Sequence, residues 1–342
     1  MPRVPVQQLM DGTTALLRAA GAPPDIAQAT AEAIVGADVV GHESHGVAQL
    51  PGYLAGVKAG RIVPDARPVV SKETETTALL DAGKGFGHYS ATVAMDAAIE
   101  RAGRYRMGAV TLANANHIGR LGTYVERAAA RGCIGLVSLG AGGASGTTAP
   151  FGGRRGALGS NPIAAAVPVA GETPFVMDMA TSVFSNGKIG IARREGRPLP
   201  GGAILDKEGQ PSTNPDDWAA GGPMLPAGGY KGYALSLFNL FCAALAMTGA
   251  PAGERIAGTF YLALDVTAFQ PLEEYARRTA AYVEQLKAVP TQEGVDEILL
   301  PGERAARTAA QRRAEGVPVP DGVWASLAEA GAGLGVTLPA AG

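Results

Sequence analysis

Apolar positions recur every three to four residues through the first sixty positions of the chain, the spacing of amphipathic helices. Val6, Leu9, Met10, Thr13, Leu16 and Leu17 keep to one face, and Gly21 ends that run. Pro24 suits a first helical turn, after which Ile26, Ala29, Ala33, Ile34, Ala37 and Val40 continue the pattern. A third helix is expected to carry Leu50, Tyr53, Leu54 and Val57 on one face, with Ser44 as its N-cap.

From about Pro68 the pattern changes. Positions 69–70 and 76–80 read as strands, 90–104 as a helix, 107–113 as a strand, 121–131 as a helix and 134–139 as a strand. A glycine-rich irregular stretch is expected over 140–159, then strands at 163–168 and 174–178 and a helix at 182–194. Positions 231–248 read as a long apolar helix stopped by Gly249, and 259–265 as a strand. Helices are expected at 271–289, at 302–315 and from Asp321 onward. The alternation in the middle predicts an α/β fold. The helical ends, 1–70 and 266–342, are expected to form one discontinuous domain around an α/β domain at 71–265.

Composition narrows the function. Hydrophobic residues are 46% and charged residues 18% of the 342, an ordinary globular balance. A net charge of −2, with no run of Lys or Arg, argues against nucleic acid as a partner. No secretory signal pattern and no apolar run of bilayer length are present, so a cytoplasmic location away from membranes is expected. Cys133 and Cys242 lie far apart in apolar stretches and read as buried small hydrophobes.

The chemistry points to histidine. Only His42, His45, His88 and His117 occur, each beside glycines in expected turns rather than on an apolar helix face. His45 is expected in the first turn of the third helix, where the dipole disfavours the imidazolium and suits a general acid or base. A metal site of His42, His45 and His117 is the competing idea, but no HExxH or Cys-x-x-Cys spacing supports it. The glycines at 83–87 and 140–143 lack the strand–GxGxxG–helix context of a Rossmann site and read as structural turns. Residues 178–182 are expected to follow a strand and open a helix, offering backbone N–H groups to a phosphate or ribose. Lys231 in the first turn of its helix opposes the dipole, which hints at an anionic partner; an exposed lysine is the plainer reading.

Seven segments together resemble the malate/L-lactate dehydrogenase-like family, which is distinct from the Rossmann lactate dehydrogenases. They are GHESHGV (41–47), NANHIGRLGTY (114–124), PFGGRRGALGSNP (150–162), MDMATS (177–182), GGYKG (228–232), FYLALD (260–265) and LPGER (300–304). The resemblance implies an α/β fold with an unusual, non-Rossmann mixed-sheet domain that binds NAD or NADP. It also implies a homodimer with the cofactor in a cleft near the subunit interface. Cofactor contacts would fall on Gly119, Arg120 and Leu121, on Asp178, Met179, Ala180, Thr181 and Ser182, on Tyr230 and Lys231, and on Gly302, Glu303 and Arg304. His45 matches the family's proton donor, and His117 either orients the substrate or takes that role itself.

The implied reaction is hydride transfer between NAD(P)H and C2 of a small 2-oxo or 2-hydroxy acid. Reduction of a cyclic imine carboxylate uses the same groups and is the alternative, with a non-catalytic binding protein on this fold behind it. Gln49, Tyr53 and Arg120 are the substrate-binding candidates. Gln49 stands where the family commonly has an arginine, so a dicarboxylate is a less secure substrate and Arg120 becomes a possible anchor. The connection at 249–258 is short, and His88 replaces a usual glutamine as an expected surface or interface variation.

Overall fold

The computed structural model describes residues 2–171, 173–251 and 253–338. Residues 1 and 339–342 of the expected helical part, residue 172 of the α/β part and residue 252 of the short connection lie outside the described residues.

After the short strand β1 (Arg3–Val4) come helices α1 (Val6–Ala19), α2 (Pro24–Val39) and α3 (Leu50–Lys58). Strands β2 (Val69–Glu73) and β3 (Thr77–Asp81) lead into α4 (Gly87–Tyr105), β4 (Met107–Ala113), α5 (Gly122–Ala129) and β5 (Cys133–Gly142). Then follow β6 (Ile163–Val167), β7 (Phe175–Met179), α6 (Asn186–Arg194), β8 (Ile204–Leu205), β9 (Pro211–Ser212) and α7 (Pro215–Ala219). The remaining elements are α8 (Tyr230–Ala244), β10 (Ile256–Asp265), α9 (Leu272–Lys287), α10 (Glu303–Glu315), β11 (Val317–Pro318) and α11 (Asp321–Ala332).

Seven strands form one mixed sheet in the order β2-β3-β4-β10-β5-β6-β7. Only β3 and β4 run parallel; every other neighbouring pair is antiparallel. This α/β sheet therefore differs from the parallel sheet of a doubly wound dinucleotide fold. Strand alternation assigns the layers. In β5 a side chain at Gly135 would meet Ala128 and Val125 of α5, whereas one at Gly140 would meet Leu240 and Ala243 of α8. An odd and an even position thus place α5 and α8 on opposite faces. Gly140 is needed for that close approach, since a Cβ there would lie 2.5 Å from Leu240 Cα.

Two large cores result. One joins the sheet to α4 and α5 around Met95, Val110, Leu112, Tyr124, Val137 and Tyr261. The other packs α1, α2 and α3 against Ala309 of α10, Val317 of β11 with the adjoining Val319, and Leu327 of α11. Pairing of β1 with β11 stitches the two ends together. Helix α9 takes no part in that second core and buries none of its residues. It docks instead beside the β6–β7 loop, where Ala170 N–H donates to Ala276 O at 3.1 Å.

Several boundaries depart from expectation for local reasons. Strand β5 runs on through Gly142, because β10 pairs with it along ten residues. Residues 182–185 are extended or bent, and α6 starts only at Asn186, where the Ser185 hydroxyl accepts Lys188 N–H. Helix α8 stops at Ala244, after which Ala246 and Met247 close single turns. Among the described residues no helix is long and apolar enough to cross a membrane.

Candidate active site

The GHESHGV segment links α2 to α3 through two 3-10 turns, Glu43–His45 and Val47–Gln49. Ser44 therefore does not cap α3, and His45 is not in its first turn. The Ser44 hydroxyl turns instead to His45 and lies 2.9 Å from its Nδ1. Gln49, immediately before α3, folds back so that Nε2 donates to the Ser44 carbonyl at 3.0 Å.

His117 arrives from the loop after β4. Asn116 Nδ2 donates to the carbonyls of Lys84, at 2.7 Å, and Gly85, at 3.0 Å, pinning that loop onto the 83–87 turn. Gly87 permits the approach, because a side chain there would strike the carbonyls of Asn116 and His117. The rings of His117 and His45 stack at 5.6 Å with 21° between their planes. Tyr53 of α3 places its hydroxyl 2.7 Å from His117 Nδ1. Each imidazole thus has Nδ1 engaged by a hydroxyl, which fixes its orientation.

His88 is not the surface variation expected. It is 1% exposed in the first turn of α4, edge-on to Tyr53 at 5.2 Å and to His117 at 6.3 Å. Its Nε2 has no hydrogen-bond partner among the described residues and presses on Gly119, where a Cβ would lie 2.6 Å away. Gly119 has φ +69°, so both space and backbone require glycine.

The charges beside this stack come from the turn before α5, from α5 itself and from β7. Arg120 is buried and grips Glu126 with two bonds, of 2.6 and 3.0 Å. Its Nε lies 3.8 Å from Asp178 Oδ2, which also accepts Gly122 N–H at 2.7 Å and so caps the start of α5. In this structure the Arg120 guanidinium is thus engaged by Glu126 and faces Asp178.

Burial lowers the pKa of all four histidines, because a low-dielectric setting disfavours the imidazolium. His42 and His117 fall to about 4 and His88 to about 3. At His45 burial is opposed by the Asp178 carboxylate and reinforced by Arg120. At His117 burial is reinforced by His45, and no carboxylate opposes it. His45 is thus the member of the stacked pair with an anion placed to support its charged form.

The other segments group around this centre. Residues 178–182 end a strand and continue into a loop rather than opening a helix. Thr181 Oγ1 donates to Ser160 O at 2.9 Å, and Ser182 Oγ to Phe184 O at 2.6 Å. The start of α8 adjoins them through Ala227 N–H, which donates to Thr181 O at 2.9 Å. Tyr230 and Lys231 are exposed there, and Phe151 meets the Tyr230 ring at 6.4 Å. Gly302 sits further out, where Val176 N–H donates to Pro301 O at 2.9 Å. It lines a cavity of about 430 Å³ with Pro174, Val176, Ala305, Ala306 and Glu126. Glu126 is the link from that cavity to Arg120 and the histidines. Glu303 is turned away, to Lys287 and Leu300 N–H, and the Arg304 side chain is exposed.

Gly228, Gly229 and Gly302 hold positive φ where the backbone is not buried, which suits a phosphate-bearing ligand such as a dinucleotide; Gly119 also has positive φ but is buried. Leu121 is buried and can contribute only backbone. Among the described residues no three His, Cys, Asp or Glu side chains converge as a metal site requires. Sequence reasoning missed Asp38 and Glu126 and named His88 among the candidate histidines but expected it at the surface. Of the two missed, Asp38 left a signal, as a charge on the apolar run of α2.

The malate/L-lactate dehydrogenase family model matches residues 4–328. Malate dehydrogenase of Pyrococcus abyssi is 32% identical over 98% of this chain and 95% of its own. L-sulfolactate dehydrogenase of Methanocaldococcus jannaschii is 34% identical over 94% of each chain. The crystal structure of malate dehydrogenase from Entamoeba histolytica superposes with a TM-score of 0.93, covering 99% of both chains at 28% identity. Such dehydrogenases imply a nicotinamide cofactor. With its mixed sheet and its stacked histidines on this fold, the chain belongs to the malate/L-lactate dehydrogenase family and is a 2-hydroxy acid dehydrogenase-type enzyme.

Proposed function

We propose that the protein moves a hydride between NAD or NADP and C2 of a small 2-oxo or 2-hydroxy acid, with His45 carrying the proton. The observation behind this reading is the Ser44–His45–His117–Tyr53 array set beside Asp178. The bound nicotinamide supplies or accepts the hydride at C4. His45, held at Nδ1 by Ser44, presents Nε2 to the substrate oxygen. It gives that oxygen a proton in reduction and takes one in oxidation. Asp178 steadies the imidazolium while it exists. His117, tied at Nδ1 to Tyr53, orients the substrate. Gly119, Arg120 and Leu121, residues 178–182, Tyr230 and Lys231, and the backbone at Gly302, Glu303 and Arg304 would hold the cofactor. The domains are assigned as a helical one from 1–70 with 266–342 and a cofactor one from 71–265, although α9 lies outside the helical core.

Substrate choice follows from Arg120 and Gln49. With Arg120 committed to Glu126, the Gln49 amide is the available partner for an anionic substituent, and an amide donor cannot neutralise a second carboxylate. Monocarboxylic 2-oxo acids are expected to be reduced with higher kcat/KM than oxaloacetate or sulfopyruvate. Gln49→Arg is expected to narrow that gap about tenfold, the worth of one charge-assisted hydrogen bond. A panel of these acids and cyclic imine carboxylates, each with NADH and NADPH, tests the reading. Turnover of the imines alone would replace it with imine reduction, and no turnover at all would remove it.

The homodimer is assigned to α8. Its inner side packs on β5 and β10, while Leu235, Phe238, Phe241 and Leu245 follow one another on the outer side. Phe241 is 63% and Leu245 58% exposed. An apolar stripe of this kind marks an interface, and a second copy would cover it. Phe241→Glu is expected to shift the protein from dimer to monomer in sedimentation velocity. A monomeric wild type would refute the assignment.

A further inference from the structure

The last turn of α2 ends in an aspartate where the neighbouring positions are apolar. Asp38 is 3% exposed, between Ala37 and Val39, on a helix otherwise packed into the helical core. A carboxylate in such a place is costly unless its partners reward it. All of its partners lead to the segment that carries His45. Asp38 Oδ2 accepts Val47 N–H at 2.7 Å. The other oxygen lies against Gly46, where any side chain would collide with the carboxylate. The Asp38 main-chain carbonyl accepts a bond from Arg312 of α10, and the same guanidinium forms an ion pair with Glu43. Glu43 begins the 3-10 turn that His45 ends. Thr308, one turn before Arg312, fills the space over Gly41. The segment 41–47 is thus fastened on both sides of His45, at Glu43 by α10 and at Gly46–Val47 by α2.

We infer that Asp38, with Arg312 and Glu43, is a positioning device that fixes the backbone around His45 so that its imidazole meets the substrate oxygen. None of the three touches the stacked rings by a hydrogen bond of its own. They act through the main chain, which sets where the ring can stand. Misplacing a catalytic group by about 1 Å lowers turnover on the order of a hundredfold, so a tether of this kind matters to kcat rather than to cofactor binding. Burial and the nearby Glu43 push the Asp38 carboxyl up to about 7, against the pull of the Val47 N–H and of Arg312. The neutral acid is well populated near neutrality, and an asparagine of the same shape reproduces it.

The inference rests on His45 being the proton carrier, so the test separates the two. Asp38→Leu, Asp38→Asn, Arg312→Met and His45→Ala are made in the full chain. Each is followed by hydrogen exchange of the 41–49 segment, by kcat with the best 2-oxo acid and by the Kd of the reduced cofactor. Asp38→Leu and Arg312→Met should exchange that segment about tenfold faster. Their kcat should fall roughly 10- to 100-fold, with cofactor Kd changed less than about twofold. Asp38→Asn should restore both exchange and kcat. Should Asp38→Leu fail to fold, Arg312→Met, at the edge of the cluster, carries the test alone. Wild-type exchange and kcat in the Leu and Met variants would overturn the inference, as would an Asn variant as impaired as Leu. If His45→Ala turns over normally while the tether variants loosen the segment, the tether stands and the proton-carrier reading falls.

Discussion

Replacing His45 by alanine should lower kcat for reduction about 10²- to 10⁴-fold, the usual worth of a positioned general acid, with little change in cofactor affinity. The expectation follows from the environments of the stacked pair. His45 has Ser44 on Nδ1 and the Asp178 carboxylate nearby, so its protonated form has a counter-charge. His117 has a phenol on Nδ1, a pKa near 4 and no carboxylate to support a charge. The pH profile gives an independent readout. Burial holds the His45 pKa below its ordinary value, so the neutral imidazole prevails at neutral pH. Reduction needs the imidazolium and should slow as pH rises through that lowered pKa. Oxidation needs the neutral base and should slow as pH falls through it. Both limbs should flatten in His45→Ala, and steady-state kinetics between pH 4 and 9 would show it. If His117→Ala is the inactive variant and His45→Ala retains its pH dependence, the two roles are exchanged.

Much of this site was legible in the sequence, and the reasons are physical. Histidines confined to glycine-flanked turns had no place on an apolar face, and two of them, His88 and His117, meet around Tyr53 while His45 stacks on His117. The glycines at 140–143 lacked a following helix, and Gly140 and Gly142 prove to be points where a strand presses on α8. What stayed hidden is what depends on distant partners. Ser44 has the composition of an N-cap, but a 3-10 turn brings its hydroxyl to the neighbouring ring instead. His88 follows the glycine-rich 83–87 turn with nothing local to indicate burial, which comes from α3 and the 117–119 loop. The Arg120–Glu126 pair is six residues apart, a spacing no helical face rule would join. It forms because Arg120 precedes α5 and turns back along it.

That pair sets up the second large effect. Arg120→Met should destabilise the protein by about 2–4 kcal/mol, measured as a lowered urea midpoint at unchanged m-value. The guanidinium is 6% exposed, grips Glu126 with two bonds and faces Asp178. Removing it leaves two carboxylates near each other with no cation, and Asp178 is well shielded from water. The partly exposed side of Glu126 keeps the penalty below that of a fully enclosed pair. A side chain at Gly122 would overlap the guanidinium, so the helix start is built around it. The double variant Arg120→Met, Glu126→Leu should recover part of the loss, because it removes a stranded charge as well as the bond. Kinetics distinguish this structural role from the one the sequence left open. Loss of an open anchor would raise substrate KM and leave stability untouched, whereas loss of a committed internal cation lowers stability. A stable Arg120→Met protein with an elevated KM alone would return Arg120 to the substrate.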